Sequence, residues 1–215
     1  MGLSNALIER LNRRAAESLP YRGRVIDLGC GDAPYKAHIL TKADEYVGVD
    51  WEPTEHNRCA VDVFADLSRP PLPFDAETAD TVVAFQVMEH LPEPREFLTE
   101  CYRLLRPGGA LFITVPFMWE VHEAPRDFYR FTRYGLDYLL ERAGFVDRDI
   151  RELTGFWQTW VLKFNYHTAR PSRSQLRYLW APVWLLGQAI APLLDRRARH
   201  PEETASYVVT ARRPA

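Results

Sequence analysis

With 215 residues, 47% hydrophobic and 26% charged, the chain can bury the core of one α/β domain and is too apolar for a disordered segment. A formal net charge of -2 excludes the global basic field of a nucleic-acid binder. Cys30, Cys59 and Cys101 are scattered without metal-ligand spacing, so a reduced, cytoplasmic chain with no metal centre is expected. Glu9, Arg10, Arg13 and Arg14 interrupt any apolar signal-peptide core.

Residues 3–19 read as an amphipathic helix with Leu3, Leu7, Leu11 and Ala15 on one face. It either packs on the domain edge or forms a lid over a ligand site, and residues 1–24 are set apart from a domain over 25–215. Val25-Ile26-Asp27-Leu28-Gly29-Cys30-Gly31-Asp32-Ala33-Pro34-Tyr35 then reads as a buried strand, a glycine turn and a helix start. Gly29 and Gly31 allow a sharp turn and close approach to a ligand. Pro34 suits the first turn of a helix running to about Lys42.

Tyr46-Val47-Gly48-Val49-Asp50 is a second strand ending in an acid, 23 residues after Asp27. That spacing suits a carboxylate accepting from ribose hydroxyls, and Trp51 beside it can stack on a base. Ala60 to Ala65 is a third strand, Ala79 to Phe85 a fourth, and Glu93 to Leu105 a helix stopped by Pro107-Gly108-Gly109. Ala110 to Val115 is a fifth strand. The alternation predicts a mostly parallel sheet with helices on both faces, its ligand at the carboxyl ends of the strands. Asp27, Asp50, Asp66 and the segment from Phe85 to His90 all leave such ends.

At these residues the chain resembles the class I S-adenosylmethionine (SAM)-dependent methyltransferases, in the small-molecule and lipid branch with type 11 domains. The resemblance rests on Asp27-Leu28-Gly29-Cys30-Gly31, Asp50, Ala65-Asp66-Leu67, Met88-Glu89-His90-Leu91 and Leu104 to Gly109. It departs at Ala33, where a third glycine is often found. A nicotinamide dehydrogenase is disfavoured because Asp27 would repel a pyrophosphate on the turn. The resemblance implies a Rossmann-like seven-stranded sheet with SAM as cofactor. Asp27, Gly29, Cys30 and Gly31 would hold the amino-acid end of SAM and Asp50 its ribose. Trp51, Asp66 and Leu67 would frame the adenine, with Phe85 and Gln86 near the sulfonium. For Asp66 a loop cap, for Trp51 packing and for His90 a structural helix start remain open.

Acceptor-side groups follow the fifth strand, where aromatic and charged residues alternate from Pro116 to Thr132. This loop resembles those of bacterial cell-surface polysaccharide and natural-product methyltransferases. His122 is the candidate catalytic base and Asp127 its orienter, with Trp119, Tyr129 and Arg130 toward the acceptor. The competing reading pairs Asp127 with Arg130 to pin the loop. Thr132 would cap a scaffold helix carrying Leu136, Leu139, Leu140 and Ala143 and stopped by Gly144.

Phe145 to Leu153 and Ser206 to Ala211 read as strands six and seven, separated by about 50 residues, too many for a hairpin loop. The segment at about 156–203 reads as an apolar helical insert and holds an uncharged run from Tyr178 to Leu194, flanked by arginines. It can be a cap on the acceptor pocket, a homodimer surface or a peripheral membrane contact. The expected function is methyl transfer to an oxygen of a small molecule or glycan, without nucleic acid as partner. Alternatives are methylation of a ring carbon in a lipid or quinone-like acceptor, and SAM binding by a non-catalytic regulatory subunit.

Overall fold

The computed structural model describes residues 6–52, 58–169, 177–198 and 200–215. Its centre is a seven-stranded sheet: β1 (Arg24–Leu28), β2 (Glu45–Asp50), β3 (Val63–Phe64), β4 (Ala79–Phe85), β5 (Leu105–Pro116), β6 (Val146–Glu152) and β7 (Ser206–Arg212). The order is β3-β2-β1-β4-β5-β7-β6, with β7 antiparallel to both neighbours and the other pairs parallel. Side chains along β1, β4 and β5 alternate between two cores, because both faces are covered. Ile26, Val82 and Leu111 join one cluster with Phe97, Leu98 and Leu136. Val25, Val83 and Phe112 join the other with Tyr21 and Ile39.

The helices in chain order are α1 (Ala6–Ser18), α2 (Lys36–Ile39), α3 (Pro94–Leu104), α4 (Arg133–Arg142), α5 (Phe156–Ala169) and α6 (Arg177–Arg197). The expected Thr132 cap forms, its hydroxyl accepting from the Gly135 N–H at 3.0 Å. Several boundaries differ from the sequence reading. Pro34 lies in the turn before α2, which is a single helical turn beginning at Lys36. β3 has only two residues, since pairing with β2 is confined to Val49–Val63 and Asp50–Phe64. α3 ends at Leu104, and Pro107-Gly108-Gly109 lie within β5 rather than after the helix. There Gly109 and Arg213 are tied by a 3.0 Å backbone bond, which extends the strand through the glycines.

The insert is a helical hairpin of α5 and α6. Its register is set by Asp195, buried near the end of α6. The carboxylate accepts from the N–H groups of Trp157 (2.9 Å) and Gln158 (3.0 Å) and from Gln158 Nε2 (2.9 Å), so an acid of one helix caps the N-terminus of the other. Gly155 permits this approach, because a Cβ there would lie 2.7 Å from Asp195. Buried hydroxyls of Thr154, Thr159 and Thr204 tie the hairpin to β7. No helix among the described residues is long and apolar enough to cross a membrane. Asp195→Ala should lower unfolding free energy by about 1–3 kcal/mol, because buried N–H groups lose a charged acceptor. Urea unfolding followed by circular dichroism checks this; a variant within about 0.5 kcal/mol of wild type would remove Asp195 as the clamp.

Candidate active site

The sheet's carboxyl rim is shaped by the turn after β1. Gly29 and Gly31 have φ of +78° and +53°, where a Cβ is disfavoured. At Gly29 a Cβ would also meet Val87 at 2.4 Å. The Gly29 and Cys30 N–H groups donate to the Val49 carbonyl at 2.8 and 3.0 Å. Asp50 completes the clip, with Oδ2 accepting from the Gly31 N–H (2.9 Å) and Oδ1 from the Trp51 N–H (2.8 Å). Each carboxylate oxygen retains a second lone pair for a ligand hydroxyl.

Asp27 lies behind the turn, 3% exposed, and accepts from the Tyr46 hydroxyl at 2.7 Å. Burial, aided by the charge of Asp50, pushes its carboxyl up to about 7 against the opposing Tyr46 hydrogen bond. Asp27, Gly29, Cys30, Phe85 and Gln86 line a cavity of about 150 Å³ together with Asn12, Tyr35 and Thr114. This is smaller than a typical ligand pocket of roughly 300 Å³ or more, so it suits one end of an extended ligand. The Cys30 thiol is pushed up to about 12 by burial and stays protonated.

The sequence reading did not single out Asn12, Tyr35 or Thr114. Thr114 was detectable as the polar interruption near the end of the β5 apolar run; it meets Gln86 Nε2 at 3.1 Å. Asn12 comes from α1, and its Oδ1 is buried with no hydrogen-bond partner among the described residues. A buried orphan acceptor beside Asp27 suits a ligand that brings N–H donors. It fits the ammonium of an amino-acid ligand and gives the site a direct test of fit for SAM.

Farther along the rim, the Trp51 ring is covered by the Arg126 guanidinium at 3.9 Å, which links the acceptor loop to the end of β2. Leu67 is buried in the main core. Asp66 caps its own loop: Oδ1 accepts from the Ser68 N–H (3.0 Å) and hydroxyl (2.6 Å), while Oδ2 lies 3.4 Å from Arg69 Nε. Burial opposes ionisation there, but the two Ser68 bonds together with the charges of Arg69 and Arg126 outweigh it, so its carboxyl sits below the ordinary range.

The loop after β5 is pinned by Arg130. Its Nε donates to the Trp119 carbonyl, Nη1 to Asp127 and the Tyr129 carbonyl, and Nη2 to Asp127 and the Glu120 carbonyl. All five N–H groups are committed, so Arg130 holds the loop and has none left for an acceptor. Of the two readings of Arg130, the Asp127 pairing is present in the structure. The Arg130 bonds hold the buried Asp127 carboxyl down at about 2. Tyr129 is half-exposed and donates its hydroxyl to the Pro92 carbonyl at 2.9 Å. Trp119 lines a separate cleft of about 500 Å³ with Phe156, Trp160 and Phe164 of α5.

His122 stands on the same frame. Its N–H donates to Asp127 Oδ2 at 2.8 Å, and its Nδ1 lies 3.4 Å from that oxygen and 3.2 Å from the Glu120 carbonyl. Arg130 Nη2 also lies 3.3 Å from Nδ1, but its two hydrogens serve the closer Asp127 and Glu120 oxygens; with the Glu120 carbonyl able only to accept, the ring proton is assigned to Nδ1 and the lone pair to Nε2. The His122 ring meets His90 edge-on, with centroids 5.0 Å apart. His90 in turn places Nδ1 on the Arg126 carbonyl and Nε2 3.7 Å from Glu89. Glu89 is fully buried, and both carboxylate oxygens lack hydrogen-bond partners among the described residues. Burial pushes its carboxyl up to about 8. Ligand-type atoms of Glu89, His90 and His122 lie within 4.8 Å of one another, a set able to hold a metal ion.

Arg130→Lys replaces a planar five-donor fork with a three-donor point charge. The variant should lose about 1–3 kcal/mol of stability, read as a lower urea midpoint with unchanged slope. An unaltered midpoint would show that the loop does not depend on this fork.

A family model described as a methyltransferase domain matches residues 3–181. A Mycolicibacterium smegmatis protein named a probable S-adenosylmethionine-dependent methyltransferase is 38% identical over 98 residues, 43% of this chain and 37% of that protein. A Rhizobium rhizogenes protein named ubiquinone biosynthesis O-methyltransferase is 30% identical over 116 residues, 49% of this chain and 46% of that protein. The match thus spans less than half the length of either curated relative. The crystal structure of a SAM-dependent methyltransferase from Archaeoglobus fulgidus shares the fold, with TM-score 0.63 at 19% identity over 97% of this chain and 94% of that one. The chain belongs to the methyltransferase domain family, with the class I Rossmann-like fold and SAM as the family's cofactor.

Proposed function

We propose that the protein transfers the methyl group of SAM to an oxygen of a small molecule or glycan. The observation that carries this reading is the pairing of two features on one carboxyl rim. One is an ammonium-suited cavity with buried Asp27 and the orphan Asn12 Oδ1; the other is a loop histidine held by a buried carboxylate. Bound SAM supplies a methyl group already activated by a sulfonium. Asp27 and Asn12 take its amino-acid end, and the spare lone pairs of Asp50 take the ribose. Trp51, Leu67 and Asp66 border the adenine side, and Phe85 and Gln86 the sulfonium side.

His122 supplies the proton acceptor. Asp127 orients the ring and stabilises its protonated form, while Nε2 takes the proton of the acceptor hydroxyl. The cleft of about 500 Å³ beside Trp119 accommodates the apolar part of the acceptor. The O-methyltransferase name of the Rhizobium relative supports oxygen as the target.

One observation favours a second reading of the same groups. The orphan Glu89 carboxylate, with His90 and His122, suits a divalent cation that would lower the pKa of an acceptor hydroxyl. Incorporation of label from methyl-labelled SAM into source-cell extract separates the two. With His122 as free base, His122→Ala lowers incorporation by about a hundredfold or more, leaves SAM affinity within about twofold, and EDTA has no effect. Loss of incorporation on EDTA treatment, restored by a divalent cation, would replace the free base with the cation. Full activity of the alanine variant would remove His122 from both readings.

A further inference from the structure

The outer face of α6 is apolar over its whole exposed arc. Every exposed position from Leu179 to Leu193 carries an apolar residue, and Leu179, Leu186 and Leu193 are 73%, 61% and 56% exposed. At about 100° per residue these positions sweep roughly 220° of the helix circumference. The inner face, with Trp184, Gln188, Ala191 and Asp195, is buried. Trp157 and Trp160 of α5 add exposed rings beside this surface.

The charge of the insert is as one-sided as its apolarity. Residues 156–203 contain seven lysines and arginines and three acids, Asp195, Glu202 and Glu203, against 20 basic and 26 acidic residues in the rest of the chain, and Asp195 is the one acid of α6. Asp195 is buried as the cap of α5, so it offsets none of the surface charge. Apart from Lys163 in α5, the basic residues bracket α6 in sequence: Arg170 and Arg173 precede it, Arg177 is its first residue, Arg196 and Arg197 close it, and Arg199 follows. Arg196 and Arg197 are exposed.

A second copy of this chain fits such a surface poorly. An α6–α6 pairing in either direction brings arginine-bearing ends together, with no exposed acid on α6 to neutralise them. One partner helix would also leave much of this roughly 220° arc in water. An anionic lipid surface fits both features: acyl chains cover the apolar arc, and phosphates meet the arginines about 30 Å apart along the helix.

We propose that α6 docks the protein in the plane of an anionic membrane surface, with its apolar arc at the acyl boundary and its terminal arginines among lipid phosphates. The cleft beside Trp119 lies close to this surface, because Phe164 lines it and also packs edge-on against Trp180 of α6, with centroids 5.8 Å apart. Docking would therefore present that cleft to acceptors carried in the lipid. The inference stands without the choice of oxygen as target atom or of His122 as base.

Sedimentation of the full chain with vesicles tests it. Vesicles of equal phosphatidylglycerol and phosphatidylcholine should bind the protein at least about tenfold more tightly than phosphatidylcholine alone. Leu186→Glu with Ile190→Glu should weaken binding by about tenfold or more, and Arg196→Glu with Arg197→Glu should do the same through charge. SAM affinity and circular dichroism verify folding of each variant, since all four side chains are outside the proposed site. Absence of binding to anionic vesicles, or binding unaffected in both folded variants, would overturn the proposal. So would a stable dimer in light scattering that Leu186→Glu with Ile190→Glu converts to monomer.

Discussion

The clip between the β1 turn and the end of β2 is the constraint on which the rest of the site depends. Four N–H groups, from Gly29, Cys30, Gly31 and Trp51, converge on the Val49 carbonyl and the Asp50 carboxylate. Such a turn has few ways to satisfy its donors once the sheet is buried on both sides. The clip also brings a second carboxylate, Asp27, into a buried position beneath it. Two acids in one small volume raise the cost of ionising Asp27, which a cationic ligand would lower. The binding chemistry thus follows from how the turn is built.

The acceptor side obeys a different logic. It is a long loop with little regular structure, and polar bonds do the work that a strand ladder does elsewhere. Arg130 gathers three carbonyls and Asp127, while the Glu89 carbonyl accepts from the Phe128 and Tyr129 N–H groups at 2.9 and 3.3 Å. These bonds fix His122 against His90 and Glu89. A loop held this firmly can orient a base or a cation, which flexible loop histidines do poorly.

Much of the fold was legible because β1, β2, β4 and β5 carry apolar runs, the first three ending at polar or glycine residues. Those ends also marked Asp27, Asp50 and Gln86 on the rim. Asn12 was hidden because it reaches the cavity from α1, distant in sequence and amid unremarkable surface residues. Arg130 stays ambiguous in sequence, because an arginine three residues from an aspartate looks alike whether it faces that aspartate or a substrate. β3 and α2 are shorter than the sequence indicates, because their extents depend on pairing and packing rather than local propensity. The insert was legible as helical, but the run from Tyr178 to Leu194 has no charge to mark a solvent face. Only its packing against α5 reveals which side is left open.

The central claim is that buried Asp27 receives the ammonium of SAM. Calorimetric titration of SAM into the protein between pH 6 and 7.5 tests it most directly. The carboxyl near 7 must lose its proton to bind a cation, whereas the ligand's amine stays protonated over most of this range. With the partial loss of the ammonium at the upper end included, affinity should therefore rise about fivefold across the interval, and Asp27→Asn should bind weakly with no such rise. A flat wild-type profile, or an asparagine variant that binds as tightly as wild type, would contradict the account.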